Sequence, residues 1–186
     1  IQTITNIIVV AIENKKLFKQ QLEQEKLKRE MELAAQVQSL LIPKDLPDND
    51  MLEMAAVYLP HRDIGGDYYD YILRDDEHIF CIADISGKGI AAAILMANFQ
   101  AILRALLKNA EDFESFVKSL NQEVTEKTKG EKFITLFVAK YNAATRELIY
   151  VNCGHNPPLL LNNGKLYHLE EGCTILGMFE EMPFIH

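Results

Sequence analysis

The sequence predicts an α+β protein: an antiparallel β-sandwich flanked by helices, preceded by one long N-terminal helix. Three observations carry that expectation. Residues 1–42 hold neither proline nor glycine and are rich in Leu, Lys, Glu and Gln, all good helix formers. Beyond Pro43 the texture changes to short apolar runs separated by turn residues. Those runs come as strands, then two helices, then strands, an order that suits helices packed on antiparallel sheets.

The chain of 186 residues is long enough for one domain plus an appendage, and 48% apolar content supports a packed core. It begins Ile1-Gln2 without an initiator methionine, so we expect it to start inside a longer protein. We divide it into a helical stalk, 1–42, and a body, 43–186.

The first element would be about 60 Å long if continuous, too long for a component of a small core. Ile4, Ile8, Ala11, Phe18 and Leu22 form a heptad-like stripe that Lys15 interrupts. After a register shift Leu27, Met31, Ala34 and Leu41 form a second stripe, with Gln38 at its polar step, and Leu33, Val37 and Leu40 add another apolar edge. Such a helix could lie along its own domain or pair with a second copy. Charged residues fill the non-stripe positions through Glu13–Glu32, which favours a parallel homodimer through residues 1–42.

Pro- and Asp-rich "IPKDLPDND" then breaks the helix. "MLEMAAVYLP" reads as a strand. "GGDYYDYILRDDEHIFCIADIS" reads as a hairpin of strands 67–73 and 78–84, turning at Asp75-Asp76-Glu77. "GIAAAILMANFQAILRALLKNA" is almost wholly apolar and should be a buried helix, with Ser86 as its cap. Asp112 should cap a second, amphipathic helix. "KFITLFVAKYN", "ELIYVNCGH" and "PPLLLNN" read as strands, and Asn163-Gly164 as a tight turn into "KLYHL".

Charge narrows the function. The chain carries 19 Lys+Arg against 27 Asp+Glu, net −8. Residues 1–42 hold six basic and five acidic residues, so the acidic excess belongs to the body. That argues against a nucleic-acid partner, whose phosphates need clustered Lys and Arg. The apolar run "ITNIIVVAI" is too short to span a bilayer, so no membrane span is expected. Cys81, Cys153 and Cys173 lack metal-ligand spacing and fit a reducing, cytoplasmic setting.

The chemistry centres on two aspartates. Asp67 follows Gly65-Gly66, where backbone can approach closely, and Asp84 ends the apolar run "HIFCIA". If the hairpin pairs as drawn, the two carboxylates fall nearly opposite each other and repel unless a cation or proton lies between them. Oxygen-only ligation selects a hard ion such as Mg²⁺ or Mn²⁺, and a second ion would make a two-metal hydrolytic site. Either aspartate alone is more simply a turn residue; their joint occurrence points to metal. Arg62 could hold phosphate beside Asp67, although a solvent-facing arginine is the simpler state. "SGKG" lacks Walker spacing, and His61 and His155 read as isolated loop histidines.

"AAQVQSLLIP", "IGGDYYDYI", "IADISGKGIAAAILMA" and "VNCGHNPPLLL" together resemble the metal-dependent PPM (protein phosphatase 2C-like) serine/threonine phosphatases. The likeness is to the bacterial branch that includes RsbU and sporulation stage II protein E, over roughly Met31 to Phe184. "IVVAIENKKLFKQ" resembles, more weakly, the last helix of a GAF sensor domain. The resemblance implies two Mn²⁺ or Mg²⁺ ions that activate a water, with Asp67 binding one, Asp84 bridging both and the backbone carbonyl of Ile85 contributing. It implies a phosphorylated anti-sigma-factor antagonist as substrate, and a linker through which an upstream sensor adjusts the site.

The sequence departs from that pattern at one point. The family also draws aspartates from a later strand and from a T-D-G-like motif near its C-terminus, whereas Asp112 is the last aspartate here. We therefore expect the N-terminal portion of a phosphatase domain, with weak metal occupancy and little or no catalysis. The competing expectations are a catalytically dead dimeric interaction module and a two-metal hydrolase of small phosphate esters.

Overall fold

The computed structural model describes residues 2–59, 64–110 and 112–185. Helix α1 (Gln2–Ser39) is continuous, as the absence of helix breakers dictates. Its first heptad-like stripe stays largely open: Ile4, Ile8, Phe18 and Leu22 are each more than half exposed. The second stripe has a different job. Met31, Ala34, Gln38 and Leu41 turn inward, and Gln38 is buried beside the core residue Ile42. Leu33, Val37 and Leu40 face away from the body, 61–73% exposed.

Beyond Pro43 the described part of "MLEMAAVYLP", residues 51–59, is not a strand. Its one pairing is the bridge of Asp48 with Glu53, and Val57 and Leu59 are each 83% exposed. A strand exists only where a neighbour completes its ladder, and among the described residues no strand lies beside this run.

β1 (Tyr68–Arg74) and β2 (Glu77–Ile85) form the expected hairpin, closed by Asp75 and Asp76 with Asp75 at φ 53°. Helix α2 (Gly89–Leu107) follows, then α3 (Phe113–Thr128), β3 (Ile134–Asn142) and β4 (Glu147–Cys153). β5 (Leu159–Asn162) and β6 (Lys165–His168) make a separate hairpin, whose turn residues Asn163 and Gly164 both take positive φ as an Asn-Gly turn requires. Two-residue strands β7 (Gly172–Cys173) and β8 (Phe184–Ile185) complete a six-stranded sheet of order β1-β2-β3-β4-β7-β8. All its pairs are antiparallel except β4 with β7.

The α+β class and the long N-terminal helix stand. α2 and α3 cover one face of the sheet, where Met96, Phe99, Leu103, Val117 and Leu120 pack on Ile79, Ala83, Leu136 and Val138. On the other face a smaller cluster of Phe137, Ala139 and Leu169 is met by Leu160 of β5, so the second layer here is the two-stranded hairpin.

Two local expectations are corrected. α2 is buried along one stripe only (Ala92, Met96, Phe99, Leu103, Leu107), because a single sheet covers one side of it, and Ile90 and Ile94 remain 46% and 58% exposed. α2 is long and apolar enough to cross a bilayer by length and composition, but that stripe is built into the core. Nor does Ser86 cap α2: the N-cap is Lys88, without a side-chain bond, and Ser86 instead prolongs the β2–β3 ladder through Phe133. By contrast, Asp112 caps α3 as expected, accepting from the Ser115 N–H at 2.7 Å.

Candidate metal centre

The hairpin register places the aspartates. Tyr68 pairs with Ala83, so one step further out Asp67 stands opposite Asp84 at the rim. The row continues inward, since Asp84 pairs with Thr135 of β3. Directly opposed residues share a face, so both carboxylates lie on the side away from α2, where Tyr68 and Ala83 point. Both are exposed, which suits a site that exchanges with solvent.

The electrostatics agree with the register. Partial burial raises the Asp84 carboxyl above the ordinary range, and the charge of Asp67 raises it further, with His155 opposing. No cation is built into the pair to relieve the repulsion: among the described residues no group of three or more His, Cys, Asp or Glu is placed to hold a metal ion.

The backbone carbonyl of Ile85 is held beside this pair by close packing. A methyl group placed on Gly66 would lie 2.5 Å from the Ile85 carbonyl oxygen and 3.3 Å from its Cβ. Only glycine lets residues 65–67 approach so near. Tyr58 adds an unpartnered group: its hydroxyl is buried without a hydrogen bond, and burial and then the charge of Asp67 raise its pKa. Two opposed carboxylates and a neighbouring carbonyl at one rim are hard oxygen donors, of the kind a divalent cation such as Mg²⁺ or Mn²⁺ takes. Arg62, offered as a phosphate ligand, lies outside the described residues.

Three residues that sequence reading passed over belong to the surroundings. His155 is half-buried, with its Nδ1 2.8 Å from Thr135 Oγ1 and its backbone N–H donating to Asn152 Oδ1 at 2.8 Å. Burial lowers its pKa, while Asp84 and Asp67 pull the other way. Extending the antiparallel β3–β4 register would not have revealed this, because the ladder stops at Phe137 with Asn152 and Leu136 instead bridges Gly154 out of register, in parallel.

Gln38 is the third after His155 and Tyr58. Its Nε2 donates to the Gly65 carbonyl at 2.7 Å, and the Gly65 N–H donates back to its Oε1 at 3.2 Å. On the other side of Asp67, the Tyr69 hydroxyl donates to the Pro43 carbonyl at 2.9 Å. The end of α1 and its exit therefore grip residues 65 and 69, two positions either side of Asp67. No periodicity rule points to a glutamine that bonds a backbone 27 residues away.

Residues 74–185 match the family described as Stage II sporulation protein E (SpoIIE). The chain belongs to the SpoIIE family. It is 31% identical over 164 residues to the phosphoserine phosphatase RsbU of Bacillus subtilis (strain 168), covering 87% of this chain and 49% of RsbU. The chain thus spans about half the length of that relative. Among solved structures, the SiaA-PP2C domain of Pseudomonas aeruginosa superposes with a TM-score of 0.71 at 16% identity, covering 87% of this chain and 67% of that one. RsbX, solved in complex with magnesium, gives a TM-score of 0.52 at 24% identity, covering 62% of this chain and 56% of its own. These likenesses show that this SpoIIE-family chain shares the fold of PP2C-type phosphatase domains.

Proposed function

We propose that the chain is part of a metal-dependent phosphoserine/phosphothreonine protein phosphatase in which Asp67, Asp84 and the Ile85 carbonyl hold the cations. The observation that carries this reading is the packing of Gly66 on the Ile85 carbonyl beside two opposed, mutually repelling aspartates. Family membership and the magnesium bound by RsbX support it. A pair of Mn²⁺ or Mg²⁺ ions would supply an activated water and charge stabilisation for the phosphoryl group. Asp84, on an ordered strand, gives the site its fixed point; Asp67, on the segment gripped by Gln38 and Tyr69, gives its adjustable one. Arg62 would assist phosphate binding.

The substrate class we assign is a phosphorylated anti-sigma-factor antagonist in partner-switching signalling, by likeness to RsbU. The linker reading rests on Gln38: a GAF-like sensor acting through residues 1–42 would reach Asp67 by the Gly65 bonds. The exposed stripe of Ile4, Ile8, Phe18 and Leu22 supports a parallel homodimer through that helix, and three free cysteines suit the cytoplasm. Phe18→Lys should convert a dimer to a monomer in light scattering.

With two acidic side chains in place, cation affinity should be weak. Calorimetric titration with Mn²⁺ tests the site: binding in the wild-type chain that is lost in Asp84→Asn supports it, and equal binding in both sinks it. The absence of a third acidic ligand among the described residues favours a second reading, an inactive dimeric interaction module. A phosphorylated antagonist that the full-length protein binds but does not dephosphorylate with saturating Mn²⁺ would decide for that reading.

A further inference from the structure

Cys153 and Cys173 stand 20 positions apart in sequence, and the parallel pairing of β4 with β7 sets them directly opposite each other. Their sulfur atoms are 3.4 Å apart and both thiols are free. Neighbouring strands hold paired Cα atoms near 4.8 Å, inside the roughly 4.4–6.8 Å window a disulfide needs. Closing the sulfurs to bonding distance therefore takes side-chain rotation, not a rearrangement of the sheet. The third cysteine, Cys81, lies on β2, buried in the core beneath α2, and serves as an internal control.

We propose that Cys153 and Cys173 are a redox-active dithiol that hydrogen peroxide converts to an intramolecular disulfide. Cys173, 8% exposed against 0% for Cys153, is the sulfur that peroxide reaches. Its thiolate attacks one peroxide oxygen, the O–O bond breaks, and one water leaves as the sulfenic acid forms. Cys153 then attacks that sulfur and expels the second water. Two thiols lose two electrons and two protons, and one peroxide is reduced to two waters. A thiol reductant reverses the step by exchange. The contact with Cys153 lowers the Cys173 thiol pKa, which favours it as the attacking group. β7 and the edge strand β8 beyond it are only two residues each, so local opening of this end of the sheet gives peroxide its entry.

The bond would fasten β7 and the segment after it to β4. Asn152, the neighbour of Cys153, already ties this region together by holding the His155 N–H and donating to the Leu169 carbonyl at 3.0 Å.

The test is thiol mapping of the purified chain after brief peroxide treatment, with alkylation in denaturant and peptide mass analysis. Free thiols should fall from three to one. A peptide pair joining Cys153 to Cys173 should appear two hydrogens lighter than its parts, and dithiothreitol should restore all three thiols. Cys81 alkylated in full and the cross-link retained in Cys81→Ser are the expected controls. The inference is overturned if Cys153 and Cys173 are recovered alkylated, if Cys81 oxidises as fast, or if Cys173 proceeds to sulfinic acid without a cross-link. None of these readouts requires phosphatase activity, so the dithiol and the metal centre stand or fall separately.

Discussion

Asp70 and the pair Asp67/Asp84 sit within one hairpin and yet have opposite chemistry. Asp70 is 2% exposed, and Arg104 of α2 grips both its oxygens at 2.7 Å while the Tyr68 hydroxyl donates to it. Asp67 and Asp84 are exposed, oppose each other and, among the described residues, have no ion pair with a lysine or arginine. A carboxylate whose hydrogen bonds are all met within the fold serves the fold. One left repelling a twin at an open rim is available to a ligand. Three residues of separation along a strand decide between the two, because alternation sends one toward α2 and the other away from it.

The sharpest way to break this contrast is at Arg104. Arg104→Ala leaves a buried charge unpaired and should cost about 4 kcal/mol. Asp70→Asn should cost less, about 2 kcal/mol, because the orphaned Arg104 is 43% exposed and can find water. Urea unfolding gives both values. Equal costs would mean that Asp70 is not the dominant buried charge. In neither variant should Mn²⁺ affinity change as much as in a rim variant that still folds.

Next is Gly66→Ala, which drives a methyl into the Ile85 carbonyl. Relief requires moving one of the two segments, so we expect about 2 kcal/mol of destabilisation together with loss of Mn²⁺ binding in calorimetry. Loss of stability with binding intact would mean that the close approach serves packing only.

Much of this was legible in the sequence, and the failures have physical causes. The Asp67–Asp84 opposition followed from a hairpin whose register is fixed by its own turn. α3 was legible because Asp112 and a strong amphipathic pattern agree. "MLEMAAVYLP" was misread because apolar composition says nothing about whether a partner strand is present. β7 and β8, two residues each, are too short for any pattern to register. His155, Gln38 and the Cys153–Cys173 pair were missed for one reason: each owes its place to a contact across the fold, not to its neighbours in the chain.

Gln38→Ala tests such a contact. Removing the side chain leaves the Gly65 N–H and carbonyl without their partners, at a cost of about 1–2 kcal/mol. Hydrogen exchange at Gly65 and Asp67 should accelerate while the β2 amides keep their protection. Unchanged exchange would show that α1 does not steady this loop.

The smallest effect, and the one that separates the rim pair from Asp70 most cleanly, belongs to Asp84→Asn. The folded-state pKa of Asp84 is raised, by partial burial first and by Asp67 second. Between the unfolded and folded values the native chain therefore binds more protons than the unfolded one, and stability falls as pH rises through that window. The cost is present in full above the folded pKa and disappears below the unfolded value near 3.9. Asp84→Asn should thus stabilise the metal-free chain at neutral pH, by no more than a few tenths of a kcal/mol after solvent screening. The gain should vanish near pH 3. Saturating Mn²⁺ should reverse the order at pH 7, raising the Tm of the wild type and leaving the variant where it was. A variant less stable than wild type at pH 7 without metal would place Asp84 with Asp70, among the carboxylates that hold the fold.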